Sequence, residues 1–438
     1  MYAQTNPAIT AWLQNTVTTG RHYVNGNPTA ISDAVIANVQ KVQYSSNNVY
    51  ITTQGIPSYI TGPFLDGNPS LASAQNAIFK MPLNPVQNTA TPMSTTGGNI
   101  GQFINGVALF DYRDGVSWQN STSTLKGGPY GGQGDNVWNR DAVVGERLGF
   151  DCAKGHPAMG NYHHHQNPSA FKLDIVVIST ICTVYNADGL YVIDSTKHSP
   201  LIGFAADGFP IYGAYAYKNT NGTGGITRMK SGYSKRNITT RTTYYTGNTV
   251  TSGPPVNSTY PIGYFREDYQ YNATSSATPD YLDDHNGRFC VTPEYPNGIY
   301  CYFATVDANW NSAYPYAVGP YFYGSNVATK VTSITETVST YTVANGSTGL
   351  NTLKLKSEDV LVFSIPANDM VAVQLNDINK KDVMIDLCDV NGKVIQKVTL
   401  YQGSTLAYFD SRTLYQGIYF VRVHSGSELV TKKILLEK

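Results

Sequence analysis

The sequence predicts a mainly β protein: a large, loop-rich β domain followed by a small antiparallel immunoglobulin-like β-sandwich. Three observations predict it. The 438 residues include 33 Tyr, 40 Gly and 22 Pro, with Thr and Asn abundant, and lack the Ala, Leu, Glu and Lys runs that build helices. Apolar and polar residues alternate in short stretches that end at Gly, Pro, Asn or Asp. After Gly324 the aromatics thin out, and a Thr, Ser and Val stretch leads into lysines and aliphatics. This shift divides the chain into domains at 1–325 and 326–438, the second a linker plus a core of about 365–438.

Taken in order, residues 8–20 are expected to form one short helix, and NVQKVQYSSNNVYITTQG (38–55) two paired strands broken at Asn-Asn. GQFINGVALFDYRDG (101–115) reads as an apolar strand ending in a polar loop. FKLDIVVISTICTVY (171–185) is a helix or a long buried strand, its β-branched content favouring strand. Cys290 and Cys301 flank a segment with a Pro-Asn-Gly turn, so a hairpin is expected with a disulfide across it, while Cys388 reads as a buried thiol in a strand. VMIDLCDVNGKVIQKVTL (383–400) makes two strands turning at Asp389 to Gly392, and GIYFVRVHSGSELVTKKILLEK (417–438) a hairpin turning at Ser425 and Gly426.

Thirty basic residues against 30 acidic ones exclude a nucleic-acid footprint and an anionic-membrane patch, each of which needs excess positive charge. No stretch approaches the roughly 20 apolar residues of a transmembrane helix. The first residues, MYAQTNPAIT, lack a charged-then-apolar leader. Either the protein is cytosolic or the leader has been removed from a mature chain, and the carboxyl-terminal segment favours the second.

That segment contains a strand running into Asp389-x-x-Gly392-Lys393, then Leu414-x-x-Gly417-x-Tyr419 leading to Val421 and Val423, and a final Lys432-Lys433-Ile434 strand. Over roughly its last 70 residues the chain resembles the C-terminal sorting domain of the type IX secretion system of Bacteroidetes. The Asn-Pro that usually opens that domain is not recognisable, so its start falls somewhere between 326 and 370. The alternative is a generic immunoglobulin-like module packed on the first domain. The resemblance implies export across the outer membrane to the cell surface or medium, with the type IX translocon and attachment machinery as partners. Disulfides are then permitted.

Six of the eight histidines lie between 156 and 285, four of them in GHPAMGNYHHHQNP. If 161–166 is a strand, His163 and His165 share one face and His164 takes the other, and His156 is placed to supply a third imidazole. Imidazole suits Zn and Cu; the alternative is a structural, hydrogen-bonded stack with Asn161, Tyr162, Gln166 and Asn167. The lone His22, His198 and His424 read as surface or packing residues.

GIPSYITGPF, GQFINGVALFDYRDGVSW, GHPAMGNYHHHQNP, LIGFAADGFPIYGAY, LDDHNGRFCVTPEYPNGIYCYF and YPYAVGPYFYG follow one another in family order across about residues 40–324. Together they make this region similar to the YHYH domain family. One departure is GIYCYFATV, where Cys301 and Phe303 stand at positions that many members give to histidine. The ligand candidates are then His156, His163, His165 and His285, with Asp207, Asp283 and Asp284 as further ligands or as acid/base groups. Asp207 is equally suited to capping its own turn, and the Asp283-Asp284-His285-Asn286-Gly287 loop has oxygen ligands suited to Ca.

Three functions follow from these residues. The first is an exported metal-binding protein with Cu or Zn on the histidines. The second is a metal-dependent hydrolase or oxidoreductase acting on an extracellular polymer. The third is a carbohydrate-binding or adhesion module using Tyr314, Tyr316, Tyr321 and Tyr323 as stacking platforms. No Ser-His-Asp spacing, phosphate loop or His-Glu-x-x-His helix appears. Asp194-Ser195-Thr196 resembles the short motif at which Bacteroidetes O-glycosylate exported proteins, which marks Ser195.

Overall fold

Alternating strands build the first domain around two large sheets packed face to face, with smaller two- and three-stranded sheets beside them. The computed structural model describes residues 6–66, 70–95, 97–169, 189–272, 278–325, 327–342, 357–365, 369–375, 383–400, 404–425 and 428–437. The larger sheet has eight strands in the spatial order Gly155–Ala158, Asn161–His164, Ala108–Phe110, Asn99–Phe103, Leu201–Ala205, Pro210–Tyr212, Ile299–Phe303 and Gly287–Cys290. The second has five, in the order Thr329–Val331, Ala77–Pro82, Asn48–Thr53, Val39–Tyr44 and Ser339–Tyr341. Strand periodicity divides the larger sheet's side chains between two cores. Phe204, Tyr212, Cys301 and Phe303 meet Val42, Val49 and Ile51 of the smaller sheet, while Ile211, Tyr300 and Tyr302 point the other way into a core covered by loops.

The expected hairpin at 38–55 is present, with Val39–Tyr44 antiparallel to Asn48–Thr53. The helix is shorter than expected and covers only Pro7–Thr10, capped by Asn6 accepting the Ala8 N–H at 2.9 Å. Asn15 explains the stop. Its Oδ1 accepts the N–H groups of Val17 and Thr18, and its Nδ2 donates to the carbonyls of Thr18 and Ala37, a local pattern that competes with helix. GQFINGVALF is a hairpin instead of one strand, because Gly106 turns the chain at φ +77° and comes so close to Thr53 that a Cβ there would lie 2.2 Å from its Oγ1. Residues 171–185 lie outside the described residues.

The hairpin around Pro296-Asn297-Gly298 forms, but the disulfide expected within it does not: Cys290 and Cys301 are both free and buried. The register pairs Cys290 with Ile299 and Arg288 with Cys301, so the two cysteines are diagonal neighbours. Diagonal positions sit about 7–8 Å apart, beyond the usual span of a disulfide. Burial pushes the Cys301 thiol well up. Cys388 is free and buried within the Val383–Cys388 strand, as expected.

Residues 326–342, expected as linker, add a strand to each edge of the five-stranded sheet: Thr329–Val331 pairs with Ala77–Pro82, and Ser339–Tyr341 with Val39–Tyr44. Between them Glu336 accepts hydrogen bonds from Asn48 and Tyr50. The carboxyl-terminal module is an antiparallel sandwich. Its three-stranded sheet runs Val360–Ile365, Met370–Leu375, Leu406–Asp410, and its four-stranded sheet Val394–Leu400, Val383–Cys388, Gly417–Ser425, Glu428–Leu436. Val371, Val373, Ile385, Leu387, Val421 and Val423 fill the space between them. Ile365, Met370, Ala372 and Tyr408 join a separate cluster with Tyr23, Tyr112, Phe150 and Tyr314 of the first domain. Among the described residues no helix is long and apolar enough to cross a membrane.

Candidate metal centre

GHPAMGNYHHH folds into a hairpin in which Gly155–Ala158 runs antiparallel to Asn161–His164, placing His156 directly opposite His163. Met159 and Gly160 make the two-residue turn with φ of +48° and +83°, the pattern of a type I′ turn. Gly155 is required where it stands, since a Cβ there would lie 2.4 Å from the Tyr162 phenol. The buried Asp151 carboxylate holds this end of the hairpin by accepting from Gly62, Ala153 and Gly155 N–H groups and from the Tyr162 hydroxyl.

His156, His163 and His165 are 5%, 2% and 3% exposed, and their ligand atoms lie within 4.8 Å of one another. The Nε2 atoms of His163 and His165 are 3.0 Å apart, and those of His156 and His165 3.4 Å. A fourth group was not visible in the sequence. Glu146 Oε2 lies 3.2 Å from His156 Nε2 and 3.2 Å from His165 Nε2. It is carried at the end of the short helix Ala142–Gly145, which Asp141 caps by accepting the Val143 N–H, while the Tyr316 hydroxyl holds Asp141 from behind.

The outer edges of two rings fix their protonation. His163 Nδ1 meets the Asn161 carbonyl at 2.8 Å and His165 Nδ1 meets the Asp111 carbonyl at 2.6 Å. A carbonyl only accepts, so each Nδ1 carries the proton and each neutral ring turns a bare Nε2 lone pair inward. Such second partners are the usual means of orienting metal-binding histidines. The Nε2 atoms of His163 and His165 then face each other at 3.0 Å, with the Glu146 carboxylate oxygen 3.2 Å from His165 Nε2. Nitrogen and oxygen ligand atoms clustered in this way could hold a cation. A tetrahedral ion with bonds of about 2.0–2.1 Å separates its ligand atoms by about 3.3–3.4 Å. The separations from His165 to His163, His156 and Glu146 and from His156 to Glu146, 3.0–3.4 Å, are of this size.

Aromatic packing holds the rings: Phe110 stacks on His163 at 4.0 Å, and Phe150 meets His156 edge-on at 4.9 Å. Burial pushes His163 well below the ordinary imidazole range, and the neighbouring imidazoles add to this. Burial alone would raise Glu146, but His156 and His165 outweigh it and hold the carboxylate low. For His165 the same carboxylate outweighs burial and raises the imidazole. His164 faces away, its Nε2 2.7 Å from the Tyr59 hydroxyl, and burial lowers it to about 3.

The other expected site residues lie elsewhere. His285 turns its Nδ1 to the Tyr321 carbonyl at 3.0 Å and is not part of the histidine group. Asp207 is fully buried and accepts from the Tyr302 hydroxyl and the N–H groups of Gly324 and Phe209. Asp283 accepts from the Tyr300 hydroxyl and from the N–H groups of His285 and Gly287, while Asp284 is exposed. These carboxylates already serve turns. Among the described residues the histidine triad is the one group of three or more His, Cys, Asp or Glu side chains suited to an ion. Tyr314 and Tyr316 are buried, and Ser195 stands exposed beside an Asp194 side chain that accepts from Thr196.

Comparison with known families places these features. The family model described as YHYH protein matches residues 78–315, which include every member of the centre. A second, the secretion system C-terminal sorting domain, matches residues 361–437, the sandwich, and indicates export to the cell surface or extracellular space. No curated protein matches the chain. With more than half of its length, including the eight-stranded sheet and the histidine hairpin, covered by the first match, this chain belongs to the YHYH protein family.

Proposed function

We propose that the protein is an exported metal-binding protein in which His156, His163, His165 and Glu146 hold one Zn or Cu ion. The observation that carries this reading is the cluster of three imidazoles whose ligand atoms lie within 4.8 Å of one another, with Glu146 Oε2 3.2 Å from two of them and the outer nitrogens of His163 and His165 committed to carbonyls. Imidazole with one carboxylate suits these ions. Four protein ligands close a tetrahedral site, the form associated with capture or structure more than with turnover. Two further facts support binding over polymer chemistry. Asp207 and Asp283, the acid/base candidates, are spent on tyrosine hydroxyls and backbone amides, and Tyr314 and Tyr316 are packed inside.

The test is metal content by mass spectrometry on protein purified without a histidine tag, comparing wild type with the His163→Ala/His165→Ala variant. The expected result is near one Zn or Cu per wild-type chain, lost in the variant while the fold is kept. Folded wild-type protein that takes up neither ion on addition overturns the reading.

A further inference from the structure

We propose that a cavity between the two sheets of the first domain binds a small, mostly apolar molecule carrying one neutral carboxamide or carboxylic acid group, with Gln102 as its anchor. The cavity measures about 160 Å³. That is close to the ~150 Å³ of an apolar protein cavity that takes up benzene. Ala77, Phe79 and Met81 of the five-stranded sheet form one wall, and Ala108 and Phe110 of the eight-stranded sheet the other.

Gln102 lines this space at 2% exposure, and neither its Oε1 nor its Nε2 has a hydrogen-bond partner. Its strand neighbours are Ala108 and Phe204, which offer no side-chain polar atom. A buried amide atom left unsatisfied is destabilising, so its partner is sought inside the cavity. Some other polar atoms around it are taken, while Asn99 and Lys330, which also line it, reach solvent. Thr53 donates to carbonyls of Asn38 and Gly106, Asn99 Oδ1 accepts from Gly101, and Gln75 Nε2 donates to Ser73. Water there would find Gln102 and few of the roughly three partners a buried water usually has. A ligand with a donor and an acceptor side by side matches the Gln102 amide in one contact, and its apolar body matches the walls.

This site stands independently of the metal ion. The test is titration with benzamide, followed by calorimetry and by NMR, for wild type, Gln102→Leu and Ala108→Leu, each first checked for folding. Benzamide is expected to bind wild type one to one, at least 10-fold more weakly to Gln102→Leu, and not detectably to Ala108→Leu, whose side chain fills the cavity. Treating wild type with a metal chelator is expected to leave benzamide binding unchanged. Absence of benzamide binding to wild type, or equal binding to Gln102→Leu, overturns the proposal. Should Gln102→Leu fail to fold, benzamide binding by Ala108→Leu at wild-type affinity overturns it instead.

Discussion

Glu146 is the residue on which the chemistry of the centre turns, because it supplies the only negative charge among the four inward-facing atoms. Glu146→Gln keeps the shape and removes the charge. It is expected to weaken Zn or Cu binding at least as much as the ~10–100-fold typical of losing an outer partner of a metal ligand, measured by competition with a chelator. His285→Ala is expected to leave affinity unchanged. Asp207 is one of several buried carboxyls that shape pH behaviour: burial raises it from its ordinary value of 3.8 to about 6, as it raises Asp141 and Asp151 to about 7. A raised carboxyl favours the protonated folded state, so its contribution is full below about pH 4 and is lost as pH rises toward 6. The difference amounts to about 3 kcal/mol at most. Asp207→Asn is expected to flatten the fall in denaturant-measured stability between pH 4 and 6 relative to wild type; an identical slope contradicts this role.

At the scale of elements, the histidine hairpin joins fold to site, and its turn and its glycine make opposite predictions. Met159 is 98% exposed with φ +48°, a conformation that Asn adopts more readily. Met159→Asn is expected to raise stability by about 0.4–1 kcal/mol. Gly155→Ala presses a methyl onto a Tyr162 ring pinned by Asp151, and is expected to lower stability by about 1–3 kcal/mol and metal affinity with it. Thermal melts with and without metal check both. The hairpin was legible because strand alternation puts His163 and His165 on one face, and because Met-Gly brings His156 back opposite. Glu146 was not, since it arrives from the end of a four-residue helix whose only mark in the sequence is the Asp141 cap. The cysteine hairpin was read correctly but the disulfide across it was not, because the register that sets the two cysteines two residues out of step depends on hydrogen-bond phase, which residue spacing leaves open.

Across the whole molecule, both sheets of the first domain close without the sorting domain, since the strands of 329–341 complete the five-stranded sheet. Composition placed the change near 326, where aromatics thin out; the sheet continues further because Thr and Val serve edge strands without large side chains. Deleting residues 361–437 is expected to leave a folded, metal-binding domain that is no longer exported, checked by circular dichroism, metal content and cell fractionation. It also uncovers Tyr23 and its neighbours, where Met370 and Tyr408 now pack, so the truncated protein is expected to be less soluble. The metal centre lies entirely in the first domain. Its most direct test is X-ray absorption on wild-type protein loaded with one equivalent of Zn. The expected first shell has three nitrogens with imidazole scattering and one oxygen at about 2.0–2.2 Å, the oxygen contribution changing in Glu146→Gln. A shell without imidazole scattering, or one unchanged in the His163→Ala/His165→Ala variant, contradicts the centre described above.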